Sequence, residues 1–258
     1  MKDVQNTFDD RGIGIDKVGI KNIRYPITVM DKKNGVQHTI ASINMYVNLP
    51  KQFKGTHMSR FVEILNEHRG NINIKDYSGI LEKMQKRFNA YSAHLEVEFP
   101  YFIEKKAPVT HSPSLMEYNC KFIGVKNGEG SDFILVVTVP VLTLCPCSKE
   151  ISKYGAHNQR SLVTVHIRFN GLVWIEDVIE TVEQSSSAQL FSLLKRPDEK
   201  YITEYAYDHP MFVEDVVREV AKKLKKNKKI TSFSVEAENL ESIHNHNVYA
   251  YVEYTRKA

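Results

Sequence analysis

The chain has 258 residues, 42% of them hydrophobic and 26% charged, and its formal net charge is +4. This composition is typical of a folded globular protein with a sizeable core and excludes a disordered chain. No apolar run reaches the roughly 20 residues needed to cross a bilayer, and the N-terminal residues lack the apolar segment of a signal peptide. With three cysteines and no export signal, we expect reduced thiols and a cytoplasmic location, with no membrane partner.

The excess positive charge is concentrated in residues 222–229, which contain six lysines. Such a run could contact nucleic acid or an anionic substrate. It overlaps an apolar stripe at helical spacing, formed by Val213, Val216, Val217, Val220, Ala221 and Leu224. The lysines are therefore predicted on the solvated face and the C-terminal end of a helix. Because no aromatic cluster lies beside the run, we expect no nucleic-acid partner.

The first half of the chain predicts two strands, two helices and two strands. In order, these are strands at residues 18–30 and 37–49, helices at 58–65 and 80–91, and strands at 95–103 and 118–125. The pair Asn34 and Gly35 is a strong signal for a hairpin turn between the first two strands. Gly70 is predicted to end the first helix.

The second half repeats this order of elements without repeating the sequence. It predicts strands at residues 131–144 and 161–169, helices at 174–184, 188–194 and 212–225, and strands at 231–238 and 247–254. Each half would form a four-stranded antiparallel sheet with helices on one face, which makes the fold class α+β. We place the modules at residues 1–128 and 129–258. The unpaired edges of such sheets predict obligate assembly.

The residues most indicative of chemistry lie where the strand at 131–144 ends. Cys145 and Cys147 lie one residue apart, and His157 follows in the next loop. A thiolate and an imidazole suit a soft or borderline metal ion. They equally suit an activated nucleophilic cysteine, while buried thiols and a solvated histidine are the structural alternative. The residues alone leave these possibilities open.

Residues 144–152 (Leu-Cys-Pro-Cys-Ser-Lys-Glu-Ile-Ser), with 155–161 (Gly-Ala-His-Asn-Gln-Arg-Ser), resemble the hallmark of the type IB GTP cyclohydrolases, a tunnelling-fold family of pterin synthesis. Segments at residues 3–5, 16–20, 25–27 and 54–60 agree with it. The resemblance implies a bimodular tunnelling fold (T-fold) of two tandem ββααββ modules. Their antiparallel sheets are expected to close into a barrel on oligomerisation, in a homotetramer with active sites at its interfaces.

The resemblance also implies GTP cyclohydrolase I activity, in which water activated by a divalent metal ion (Zn, Mn or Fe) adds to C8 of GTP. The products would be formate and 7,8-dihydroneopterin triphosphate for tetrahydrofolate synthesis. Cys145, His157 and Glu199 match the metal ligands of the family. Cys147 would be a second thiol beside the metal, and the motif does not separate proton transfer from ligation for it.

Further roles follow from the same resemblance. Glu214 matches the glutamate that anchors guanine, because a carboxylate can accept hydrogen bonds from the ring N–H and the exocyclic amine. His244 matches the catalytic histidine that would protonate the purine, with His246 as its rival by position. Candidates for holding the triphosphate are His57, Ser59, Arg60, Lys149 and Arg160.

Two other functions stay open at this point. One is another tunnelling-fold purine or pterin enzyme, such as a nitrile reductase in which the cysteine forms a covalent thioimide with its substrate. The other is a non-catalytic protein that binds a nucleotide in the same pocket.

Overall fold

The computed structural model describes residues 4–5, 7–68 and 77–256. Within these residues the strands are β1 (Ile15–Asp31), β2 (Gly35–Leu49), β3 (Ala93–Lys106), β4 (Pro113–Asn127), β5 (Gly130–Leu144), β6 (Asn158–Phe169), β7 (Ala188–Gln189), β8 (Ile230–Leu240) and β9 (Val248–Thr255). The helices are α1 (Ser59–Glu67), α2 (Tyr77–Phe88), α3 (Pro146–Ile151), α4 (Ile175–Glu183), α5 (Arg196–Asp208) and α6 (Val213–Lys226). None of these helices is both long and apolar enough to span a membrane.

The predicted order of strands and helices is confirmed except in two places. The short helix α3 between β5 and β6 was not predicted, and the helix predicted over residues 188–194 is wrong. This segment begins with the short strand β7, which pairs with β5. The helix that follows is α5, which has Pro197 in its first turn, where the missing N–H removes no helical hydrogen bond. Only Asp198 and Ala206 of α5 are buried, so the helix lacks the apolar stripe that reveals a helix in a sequence. The predicted end of α1 at Gly70 lies outside the described residues.

The chain divides into two compact units. The first comprises Met1–Pro100 and Lys121–Ile134, and the second comprises Tyr101–Cys120 and Leu135–Ala258. The divisions fall inside β3, β4 and β5, so these strands contribute residues to both units. The module boundary predicted between residues 128 and 129 stays a prediction, because compactness alone does not define a module.

The core of the first unit lies on one face of β2 and β3. β2 pairs antiparallel with β1 on one side and with β3 on the other. Because strand side chains alternate between faces, Ile43, Met45 and Val47 are all buried. The buried Tyr77 of α2 donates hydrogen bonds from its hydroxyl to the carbonyl oxygens of Leu95 (2.8 Å) and Phe122 (3.0 Å). This ring therefore fixes α2 against the strands.

In the second unit, β5, β6, β8 and β9 pair antiparallel in that order. Val165 of β6 is opposite Val137 of β5 and Val235 of β8, so the three buried valines form a row across the sheet. The predicted apolar stripe of α6 is buried in full. Each valine or leucine of this stripe contributes roughly 1.5–3 kcal/mol when it is removed from water. The packed sheet and α6 thus form a rigid base for the loops at the strand ends.

A substitution at Gly124 of β4 can test how tightly the ring of Tyr77 is packed. A Cβ atom at Gly124 would lie 2.3 Å from a ring carbon of Tyr77. We expect Gly124→Ala to lower the free energy of unfolding by roughly 1–3 kcal/mol through overpacking. Gly79, in α2, is the matched control because a Cβ there meets no atom within 4 Å. Gly79→Ala should leave stability unchanged or raise it by up to about 1 kcal/mol. Urea unfolding of both variants measures this, and equal stabilities would contradict the packing.

Candidate active site

The central cysteine motif and His157 meet at one end of the β5–β6 pair. The last residues in register are Leu144 and Asn158. Just beyond them, the backbone N–H of Cys145 donates a hydrogen bond to the carbonyl oxygen of His157 at 3.1 Å. Cys145 caps α3, and its Sγ accepts a hydrogen bond from the N–H of Ser148 at 3.4 Å. The loop that separates Cys145 from His157 in sequence therefore closes on itself and brings the two residues together.

A cavity of about 210 Å³ opens at this end of the sheet. The N–H of Met211 donates to the carbonyl oxygen of Leu144 at 3.1 Å, which holds the start of α6 beside the end of β5. The polar residues that line the cavity are Cys145, His157, Gln159, Glu214, Asn239, Glu241, His244 and His246. The structure thus brings four of the predicted residues, Cys145, His157, Glu214 and His244, to one cavity.

Glu241 was not predicted as a functional residue, yet its carboxylate lies between two histidines. Its side chain is only 6% exposed, and Oε2 lies 3.7 Å from Nδ1 of His157 and 3.4 Å from Nδ1 of His244. Nδ1 of His157 also lies 3.2 Å from Oε1 of Gln159. The Gln159 oxygen is within hydrogen-bond distance of Nδ1, and the Glu241 carboxylate lies slightly farther away. Both oxygens are acceptors, so they favour the His157 tautomer with its proton on Nδ1 and its lone pair on Nε2. In the sequence, the only indication of the contact between Glu241 and His244 is that they lie three residues apart in one loop.

His244 lies between the buried carboxylate and solvent. Its side chain is 48% exposed, and its ring centroid lies 5.9 Å from that of His157. His246 stacks on His244 at 5.2 Å and also lines the cavity. The direct contact with Glu241 distinguishes His244 from His246, whose Nδ1 lies instead 3.3 Å from the carbonyl oxygen of Asn247.

The two acidic residues at the start of α6, Glu214 and Asp215, have different surroundings. Asp215 accepts a hydrogen bond from the N–H of Phe212 at 3.1 Å and thereby caps the helix. Glu214 lines the cavity, and within the described residues its carboxylate accepts no hydrogen bond. A ligand in the cavity can therefore reach both of its oxygens.

The predicted metal ligands are only partly brought together. Cys145 and His157 line the cavity and offer a sulfur and a nitrogen, a donor pair that fits a borderline metal ion. Glu199 is exposed in the first turn of α5 and does not line the cavity. Among the residues that the structure describes, no three His, Cys, Asp or Glu side chains form a group that could hold a metal ion. The three-residue ligand set stays a prediction.

Asp198, the neighbour of Glu199, is fully buried and has a structural role. Its carboxylate accepts hydrogen bonds from the N–H groups of Val109, Thr110 and Lys195 and from the Thr110 hydroxyl, at 2.7–3.0 Å. Burial by itself raises the pKa of Asp198, but these hydrogen bonds outweigh it and hold the pKa well below its usual range. Asp198 thereby ties the start of α5 to the loop between β3 and β4.

The other predicted residues of the second unit lie outside the lining of the cavity. Cys147 is exposed on α3. Lys149 donates a hydrogen bond to the carbonyl oxygen of Tyr207 and lies 4.3 Å from the centre of its ring. Arg160 is exposed, whereas its neighbour Gln159 is buried, because consecutive strand residues face opposite sides of the sheet.

The remaining triphosphate candidates lie in the first unit. Ser59 and Arg60 open α1, and His57 precedes it. Arg60 donates a hydrogen bond from Nη1 to the carbonyl oxygen of Arg87 at 3.4 Å. The helix begins after Met58, whose side chain makes no capping hydrogen bond. The roles of these three residues stay predictions.

Solved structures of urate oxidases share this fold. The enzyme of Bacillus sp. TB-90 matches with a TM-score of 0.56 and 8% identity over 94% of this chain and 100% of its own. Uricase from Arthrobacter globiformis matches with a TM-score of 0.52 and 10% identity, over 95% of each chain. At such low identity the similarity shows the fold alone. The molecule is an α+β tunnelling-fold protein with antiparallel sheets, as expected.

Comparison with sequences is more specific. The profile of the type I GTP cyclohydrolase folE2 family matches residues 1–250. GTP cyclohydrolase FolE2 of Syntrophus aciditrophicus is 61% identical over 98% of this chain and 99% of its own length. The FolE2 protein of Syntrophobacter fumaroxidans is 58% identical over 99% of this chain and 100% of its own. The chain therefore belongs to the type I GTP cyclohydrolase FolE2 family, which confirms the expectation from the cysteine motif.

The hydrogen bonds to Asp198 predict a pH-dependent stability. Because its folded-state pKa is depressed, the carboxylate stabilises the fold above its unfolded pKa of about 3.9 and loses this contribution as the pH falls towards the folded-state pKa. Asp198→Asn should melt at a lower temperature than the wild type at pH 7, and the difference should narrow below about pH 4. Asp208→Asn, at the exposed end of α5, is the control and should show no such trend. A melting difference for Asp198→Asn that does not change with pH would contradict this role.

Proposed function

We propose that the 210 Å³ cavity is the site at which this GTP cyclohydrolase opens the guanine imidazole ring, giving formate and 7,8-dihydroneopterin triphosphate for folate synthesis. One observation carries the proposal: a thiol, imidazoles and carboxylates line the same cavity, contributed by Cys145, His157, His244, Glu214 and Glu241. The reaction must hold guanine, add water at C8 and move protons at the purine. Each of these tasks has a candidate side chain here.

Glu214 is suited to hold the guanine. Guanine presents a ring N–H and an exocyclic amine on one edge, and a carboxylate can accept a hydrogen bond from each. Since Glu214 accepts no hydrogen bond within the described residues, it keeps both oxygens for the base. A base without these two donors would leave the carboxylate unpaired, which disfavours its binding.

His244 and Glu241 are suited to proton transfer. The contact of Nδ1 of His244 with Oε2 of Glu241, at 3.4 Å, orients the imidazole and leaves Nε2 for proton transfer. His244 could therefore take up a proton at Nε2 and donate it to the purine as water adds. The exposure of His244 gives it a path for proton exchange with solvent.

Cys145 and His157 would hold a divalent metal ion, with Glu199 as the third proposed ligand. When bound, such an ion acts as a Lewis acid and makes water a stronger nucleophile near neutral pH. His157 is prepared for this role because Nδ1 faces Gln159 and Glu241, an arrangement that metal-binding histidines usually show. Sulfur, nitrogen and oxygen donors are compatible with Zn, Mn or Fe.

We also propose that the chain forms a homotetramer with active sites at its interfaces. The residues proposed to hold the triphosphate are His57, Ser59, Arg60, Lys149 and Arg160. Two observations support assembly. β9 has a single neighbouring strand, β8, within the second unit, and its Tyr249 and Tyr251 are more than half exposed. Exposed strand edges with large side chains are disfavoured in isolated chains and favour pairing with another copy.

Cys147 remains a candidate for proton transfer or metal ligation.

The metal site is tested by removing one thiol. Cys145→Ala should lose most of its bound metal and its formate release from GTP, because one of the proposed ligands is gone. Cys120→Ala is the matched control, since Cys120 is buried and does not line the cavity. Metal content by mass spectrometry and formate release, with and without a chelator, measure the effect. Full metal occupancy in Cys145→Ala would favour a nucleophilic cysteine instead.

Guanine recognition and proton transfer are separated by two further variants. Glu214→Ala should retain its metal but bind GTP more weakly by about 1–3 kcal/mol, or roughly 5- to 150-fold in Kd. His244→Ala should bind GTP with the affinity of the wild type, while its turnover slows by roughly 10²–10⁴-fold. Glu219→Ala, at a half-buried position of α6 that does not line the cavity, is the control and should change neither quantity. Equal GTP affinities of Glu214→Ala and the wild type would rule out the proposed anchor.

A further inference from the structure

A second cavity, of about 280 Å³, lies within the second unit. It is bounded by the end of α4, by β7, by α5 and by Pro108, and it shares no lining residue with the cavity described above. None of the residues with proposed roles in GTP turnover lines it. Any ligand that it takes would therefore be additional to the substrate in the active site.

The carboxylate of Glu183 forms the most polar part of this cavity. The Glu183 side chain is only 9% exposed. Its Oε1 accepts hydrogen bonds from Nζ of Lys105 at 2.6 Å and from the hydroxyl of Tyr118 at 2.7 Å. Oε2 accepts no hydrogen bond from the described part of the chain, although Glu183 lines the cavity. Oε2 is thus the acceptor that Glu183 can offer to a ligand in the cavity, and a ligand with an N–H donor can form a hydrogen bond to it.

Lys105 determines the charge that such a ligand should carry. Its Nζ also donates to the carbonyl oxygen of Leu190 at 2.8 Å and lies 4.4 Å from the centre of the Phe191 ring. Burial lowers the pKa of Lys105, and the Glu183 carboxylate opposes this effect. Because the ammonium group is paired with Glu183, the pair has no net charge. A neutral N–H donor therefore suits the cavity better than a cation.

The walls indicate the shape of the ligand. Phe191, Tyr201 and Tyr205 line the cavity, and the rings of Tyr201 and Tyr205 stack at 5.8 Å between centroids. Aromatic side chains pack well against a planar ligand. Gln189 also lines the cavity, and its amide can donate a hydrogen bond to a carbonyl group next to the ligand's N–H donors.

We propose that this cavity binds a small, neutral, planar heterocycle through adjacent N–H donors, with Glu183 as the anchor. The amino and ring N–H groups beside a carbonyl, an edge that guanine and pterins share, fit Glu183 and Gln189. The site is separate from Glu214, so its occupancy does not depend on GTP turnover.

Binding should be measured on Glu214→Ala protein, which lacks the proposed guanine anchor of the other cavity. By calorimetry, pterin should bind this protein with one site per chain. Lumazine, in which a carbonyl replaces the amino group, should bind at least tenfold more weakly. Guanosine is the second probe, because guanine has the same hydrogen-bonding edge as pterin. The ratio of the two affinities shows whether the cavity prefers guanine or pterin. Absence of pterin and guanosine binding would overturn the proposal.

Two variants in the same background locate the ligand. Glu183→Gln should weaken pterin binding at least tenfold. Because this change also leaves Lys105 without its charged partner, Ile202→Trp provides a second test: it fills the cavity from a half-buried position of α5 and should abolish binding. Thr203→Trp, at the next and exposed position, is the matched control and should keep it. Unchanged pterin affinity in Ile202→Trp would overturn the site, whereas loss of GTP hydrolysis alone would test the proposed function and not this cavity.

Discussion

The hydrogen bond from the N–H of Cys145 to the carbonyl oxygen of His157 is the contact on which the proposed active site depends. It closes the loop between β5 and β6, and it does so at the end of a sheet whose buried valines hold the strands in register. The same end receives the start of α6 through the bond between Met211 and Leu144. β8, which pairs with β6, delivers Glu241 there. Residues from four separate segments can form one site because the sheet beneath them is rigid.

Neighbouring carboxylates in this region have different roles. Asp198 and Glu199 are neighbours in α5, and Glu214 and Asp215 are neighbours in α6. In each pair one carboxylate accepts a hydrogen bond from the backbone, and the other accepts none from the residues that the structure describes. Consecutive residues of a helix point about 100° apart, so only one of a pair can face the adjacent backbone. A buried carboxylate must find donors, which commits Asp198 to the fold. Its neighbour Glu199 is exposed and is not held in this way.

The fold and the family contribute different information about function. Urate oxidases share the fold at 8–10% identity, which says nothing about the reaction of this chain, since one fold can support many reactions. The FolE2 proteins share 58–61% of the sequence across the whole chain, and this similarity establishes the family. The cavity with Glu183 illustrates a third source of information. Oε2 of Glu183 accepts no hydrogen bond from the described part of the chain, and this follows from side-chain packing and not from any motif.

The sequence by itself determined the family, the α+β class and nearly all strands and helices, because the cysteine motif and the apolar periodicities are local features. It failed for α5, where few buried side chains leave no periodic signal. Only the tertiary structure placed Glu241 between His157 and His244, left Glu199 exposed and placed Glu183 with one oxygen open to a cavity. These features depend on side chains that are distant in the chain and meet only after the strands and helices pack, so no local pattern could reveal them.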